Sequence, residues 1–225
     1  MDKKKVISWT LYDWANSAFA TTVMAGFFPI FFEKYWSNPE LVNQSTFYLG
    51  LSNSLGSLIV AAMAPFLGAI SDTGSTKKKF LFTFAFLGIL STSLLWFVEQ
   101  GDWQLAAILY AIGAIGFASG NVFYDSLLPS VAKKNELDLV SSLGYSLGYL
   151  GGGVLFIINI LMYQNPEWFG IPDATTAIRL SFVTVGVWWS IFSIPIFLFV
   201  PEQKNNDDIS FVKAASLGWS QLKTT

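Results

Sequence analysis

The sequence predicts an all-α, polytopic membrane protein with six transmembrane helices, and three observations carry that prediction. Of 225 residues, 53% are hydrophobic and 12% charged, whereas an average soluble chain is about 25% charged. Six apolar runs, at 8–32, 46–71, 79–98, 103–130, 139–163 and 178–200, each reach the roughly 20 residues a helix needs to cross about 30 Å of hydrocarbon. Eleven of the 13 Lys and Arg residues precede the first run, separate runs two from three and four from five, or follow the sixth. By the positive-inside rule that face is cytoplasmic, and an even number of spans returns both termini to it. A bacterial plasma (inner) membrane is the expected location. Long runs without alternation exclude a transmembrane barrel, and a backbone in lipid must then satisfy its hydrogen bonds within helices.

Span 1 contains "LYDWANSAF". The stretch is read as a first span that is retained, because the apolar run continues to Phe32, carries Asp13 and Asn16, and lacks a convincing small-residue cleavage site. At about 100° per residue, Asp13, Asn16, Ser17, Ala20 and Met24 share one face. A charge inside a bilayer costs at least about 2.5–3.5 kcal/mol, so this stripe marks a substrate or proton pathway. The alternative is that Asp13 is only an N-terminal carboxylate favoured by the helix dipole.

Span 2 carries Gly50, Asn53, Ser54, Ser57, Ala61, Ala64 and Gly68 at three- and four-residue steps. Such a face lets helices approach closely in a bilayer, and Asn53 is its cavity candidate. It runs into "GAISDTGSTKKK", where Gly68 permits close packing, Asp72 ends the helix and Gly74 permits the turn. Lys77, Lys78 and Lys79 fix the side of the membrane. Span 3, "FLFTFAFLGIL", is bulky and apolar all round, as a lipid-facing helix should be.

Span 4 ends in "GNVFYDSLLP". Asn121 and Asp125 lie one turn apart with Tyr124 beside them, a second Tyr-Asp pair at the depth of Tyr12 and Asp13. Two such carboxylates either share a proton or a cationic group, or both stay interfacial and never meet. Span 5 places Ser141, Gly144, Gly148, Gly151 and Asn159 in one arc, with Gly152 beside it. Its "GYSLG" matches the hydrolase elbow, but the strand–turn–helix setting and the His partner are missing, so the glycines are read as helix-packing residues. Span 6, "VGVWWSIFSIPIFLFV", is bulky like span 3. The order polar, packing, bulky therefore occurs twice, the 3+3 recurrence of a transporter half. These spans form a domain over 1–200. Residues 201–225 read as a cytoplasmic linker in which Phe211, Ala215, Trp219 and Leu222 share one helical face. That segment is either a surface amphipathic helix or a disordered tail.

The chain has no Cys and no His, which removes disulfides, thiolates and imidazole chemistry. An enzyme is therefore not expected. No Walker A sequence, metal cluster or basic nucleic-acid patch is visible, so neither a cofactor nor a nucleic-acid partner is expected.

With these residues in hand, the chain resembles the major facilitator superfamily. "GAISDTGSTKKK" is similar to its helix 2–3 loop signature, with a shorter Asp-to-Gly spacing and later basic residues. "GYLGGG" is similar to its helix 5 glycine motif, with Tyr149 where Pro is usual. "YDWANSAF" and "NVFYDSLLP" resemble the vacuole-effluxer-like branch, the autophagy-related amino-acid effluxers and their bacterial relatives. The resemblance implies one half of a twelve-helix transporter, with a central cavity lined by helices 1 and 4 and Asp72 latching one conformation. It implies a small-molecule substrate, amino acids in the yeast-type members. It also implies that the faces of helices 2 and 5 pack on a missing C-terminal half or a second copy. The expectation is an N-terminal half, from a truncated sequence, a split gene or a pseudogene. The rival is a six-helix scaffold that pairs through helices 2 and 5 without transport.

Overall fold

The computed structural model describes residues 2–37, 42–73 and 76–202. Six helices follow one another: α1 Lys3–Trp36, α2 Val42–Thr73, α3 Lys77–Leu94, α4 Trp103–Ser126, α5 Leu137–Gln164 and α6 Ala174–Phe199. Each holds a stretch long and apolar enough to cross a membrane, and no strand occurs among the described residues. The chain is thus an all-α, multi-pass membrane protein. Residues 203–225, with the amphipathic face expected there, lie outside the described ones, as does Gly74.

The helices outrun the apolar runs because their ends are built from polar residues. α1 starts in the lysines, where the Asp2 carboxylate accepts the Lys4 and Lys5 backbone N–H at 3.1 and 3.4 Å. Lys5 also pairs with that carboxylate at 3.3 Å and holds it below the usual carboxylate range. α6 starts four residues before its expected edge, where Asp173 Oδ1 accepts the Thr176 N–H at 2.7 Å. That bond keeps the Asp173 carboxyl below its ordinary value of 3.8. A carboxyl lowered by folding stabilises above its unfolded pKa, and the contribution disappears as pH falls through the folded one. The protection of the Thr176 amide relative to its intrinsic exchange rate should therefore fall selectively below about pH 4, and Asp173→Ala should remove that pH dependence.

α1 is not uniformly wound. Residues Phe19–Phe27 and Phe32–Trp36 are π-helical, and Ser37 donates its N–H to Phe32 O at 2.9 Å. Two local causes are present. Pro29 has no N–H to return to Ala25, and the Thr21 hydroxyl bonds the Ser17 carbonyl at 3.0 Å, competing with the backbone. The wider turn rotates the later residues away from where a regular helix would put them.

The helices run alternately up and down. At one end, α1 begins beside the end of α4, with Trp9 Nε1 donating to Tyr124 O at 3.0 Å, and Lys4 lies over the Phe199 ring. α3 begins at the same end. Lys77 Nζ donates to Ser126 O at 3.0 Å and Lys78 Nζ to Phe197 O at 2.9 Å. These lysines serve carbonyls at the ends of α4 and α6 that lack intrahelical partners, where the dipole favours a cation. Lys79 is exposed. At the opposite end Trp36 Nε1 donates to Val98 O at 3.3 Å, Tyr48 stacks on Trp103, and Arg179 binds the Trp96 carbonyl.

Two expectations about packing are corrected. α3 and α6 are not apolar rods turned wholly to lipid: each buries a face. Trp189 is fully buried over Gly88, where an added Cβ would come within 2.5 Å of its ring. Phe82 and Phe86 on α3 and Ile191 and Ile194 on α6 keep the outward faces apolar. The α5 glycines do not wait for a missing half. A Cβ on Gly144 would meet the Trp9 ring at 2.7 Å, and one on Gly151 would meet Trp14 O at 2.5 Å. One on Gly152 would meet Ser17 O at 2.8 Å. Their partner is α1 of the same half, because Trp9 and Trp14 are too large to pack on any face bearing a side chain. On α2, by contrast, Gly50, Gly56 and Gly68 have nothing within 4 Å of an added Cβ.

Candidate functional site

The polar stripe of α1 splits between two tasks. Asn16 is buried, and its Nδ2 donates to Asn121 Oδ1 on α4 at 2.6 Å. That bond ties the two helices together inside the bundle, where lipid offers no competing partner. Asp13 and Ser17 face the neighbouring groove, with Ser17 Oγ donating to Asp13 Oδ1 at 3.2 Å. Gly148 of α5 makes room for them, since a Cβ there would lie 2.8 Å from Ser17 Oγ and 2.9 Å from Asp13 Cγ. The small residue is thus what lets a carboxylate rest on the α5 backbone.

Asp13, Ser17 and Asn121 open on a cavity of about 220 Å³. Ala20 and Thr21 continue its α1 wall, Phe117 closes it from α4, and Tyr145 and Tyr149 stand along its α5 side. The two tyrosine rings are 5.2 Å apart, edge to face. Among the described residues Asp13 has no Lys or Arg partner, and no basic residue lines this cavity.

The remaining sequence candidates are placed elsewhere. Asn53 is exposed on α2 and lines a second cavity of about 330 Å³ with Met24, Tyr110 and Ala114. Phe117 lines both cavities and stands between Asn53 and Asp13. Met24 was expected beside Asp13, but the π-helical winding after Phe19 turns it into this second cavity. Tyr124 does not line a path: it is buried, stacked on Trp9 at 4.2 Å and against Tyr12 at 5.1 Å. Asp125 is exposed and does not line the cavity that holds Asp13. Asp72 falls in the last turn of α2 with its side chain outside the described ones, and Gly68 lies one turn before it. Among the described residues no group of acidic residues could hold a metal ion.

Sequence reasoning missed Phe117, Tyr145 and Tyr149. A signal existed for the tyrosines. Each directly follows a packing glycine, Gly144 or Gly148, so each stands at the edge of the α1–α5 seam.

A family described as "Vacuole effluxer Atg22 like" matches residues 40–225. The chain is 38% identical over 202 residues to YxiO, an MFS-type transporter of Bacillus subtilis, covering 89% of this chain and 47% of that protein. It is 21% identical to autophagy-related protein 22 of Eremothecium gossypii, covering 97% of this chain and 52% of that one. The chain spans about half the length of these curated relatives. No solved structure matches it.

Proposed function

Because the chain belongs to the vacuole effluxer Atg22-like family of MFS-type transporters, we propose that it forms the first six-helix half of a secondary active transporter. The transporter moves a small solute by alternating access. One observation carries the site assignment: an Asp13 carboxylate with no Lys or Arg partner among the described residues, lining a cavity between α1, α4 and α5. A charge kept inside a bilayer against its insertion cost calls for a function, and substrate sites of such transporters lie between helices near the midplane. Asn121 and Ser17 supply polar contacts beside it. The loop from Asp72 to Lys79 is the proposed latch against the other half. The lysine-rich end is the cytoplasmic side, and the membrane is a bacterial inner membrane.

The scaffold reading loses half its surface, since the α5 glycine arc is already occupied by α1. The test is solute flux in membrane vesicles from cells expressing the protein at its full genomic length. Asp13→Asn should lower flux about tenfold or more, the effect of losing roughly 1.4 kcal/mol. Asp125→Asn should leave most of it, because Asp125 is outside the cavity. Flux unchanged by Asp13→Asn would remove Asp13 from the pathway, and absence of flux for every solute tried would favour the scaffold.

A further inference from the structure

The cavity that holds Asp13 is chemically one-sided. Its charge is a single carboxylate, its walls are the rings of Phe117, Tyr145 and Tyr149, and its other polar groups are the Asn121 amide and hydroxyls. A carboxylate attracts a cation. Aromatic faces attract one as well, through the ring quadrupole, and more strongly once water is excluded. An anionic group would meet the opposite: like charge from Asp13, negative ring faces, and no cation among the lining residues. No described lysine lines the cavity: Lys77 and Lys78 are held on helix-end carbonyls, Lys4 lies over the Phe199 ring and Lys5 pairs with Asp2. Arg179 is bound to the Trp96 carbonyl at the opposite end.

Resting on the transporter reading above, we propose that this cavity binds the ammonium end of an organic amine. The Asp13 carboxylate pairs with the charge, Phe117 and the outward-standing Tyr145–Tyr149 pair flank the carbon skeleton, and no carboxylate on the solute is needed. Asn121 is committed on its Oδ1 side to Asn16, which leaves its amide N–H free to orient a solute acceptor. At about 220 Å³ the space suits a small molecule with one ring, below the 300 Å³ or so at which drug-sized pockets begin.

Radiolabelled phenethylamine is the probe, bound to the purified protein in lipid nanodiscs, with 2-phenylethanol and phenylacetate as competitors of matched shape. Phenethylamine should bind about tenfold or more tightly than the alcohol, with phenylacetate weaker still. Asp13→Asn should remove that preference, and Asp13→Glu should keep most of it. Tyr145→Leu with Tyr149→Leu should weaken the amine about threefold to tenfold while the carboxylate stays in place. This second variant keeps the inference testable if Asp13→Asn does not assemble, which gel filtration would reveal. Equal binding of amine and alcohol, or an undiminished preference in Asp13→Asn, would overturn the inference. Amine binding without flux would sink the transporter reading and leave the inference standing. Solute flux without any preference for the amine over the alcohol would do the reverse.

Discussion

A Gly116→Val variant should fail to hold α3 against α4. A Cβ at Gly116 would lie 2.7 Å from the Gly88 N and the Phe84 carbonyl oxygen, and 2.9 Å from Gly88 Cα. All three atoms are backbone, so no side chain can swing aside. The helices must separate, and in lipid their association rests on van der Waals contact and hydrogen bonds rather than on water exclusion. Overpacking of a tight core costs about 1–3 kcal/mol and sometimes more. The absence of a yielding neighbour puts this site at or above the upper end. Trp189, seated over Gly88, would lose its bed in the same movement. Thermal unfolding in detergent should show the loss. Gly153→Val on α5, where nothing lies within 4 Å of an added Cβ, should leave the midpoint nearly unchanged.

A Gly148→Ala variant should have the opposite profile, with little change in stability and a large loss of function. The atoms its Cβ would meet are the tips of Asp13 and Ser17, and short side-chain tips can rotate. Rotation breaks the Ser17–Asp13 bond and lifts the carboxylate off the α5 backbone. A misplacement of about 1 Å at a working group can cost on the order of a hundredfold. Flux and phenethylamine affinity should both fall toward the values of Asp13→Asn, while the unfolding midpoint stays within a few degrees of the parent. If function persists at full level, the position of Asp13 against α5 does not matter to the site.

Much of this arrangement was legible in the chain. The six spans follow from apolar runs, because a bilayer imposes one length on all of them. The polar residues pointed to α1 and α4 together, but the two helices join through Asn16 and Asn121, not through the carboxylates of Asp13 and Asp125. The cavity was harder to read for a definable reason. Face arguments assume one winding, and α1 changes winding at Phe19, so Asp13, Ser17 and Ala20 stay together while Met24 leaves them. The glycines of α5 announced a close approach, but glycine spacing says only that something large arrives. It took Trp9 and Trp14, on a different helix, to say what. Tyr124 looked like a cavity residue because it neighbours Asp125 in sequence. On a helix, neighbours in sequence point about 100° apart, which is how one is buried and the other exposed.

The lysines at the start of α3 have a bearing on biogenesis. Lys77 and Lys78 are synthesised before the carbonyls of Ser126 and Phe197 that they serve. During insertion the Lys77 ammonium therefore waits for the end of α4, and the Lys78 ammonium waits until α6 is made. Completion of the bundle is thus tied to the arrival of α6, and a chain stalled before Phe197 would leave an uncapped cation as a mark of its unfinished state.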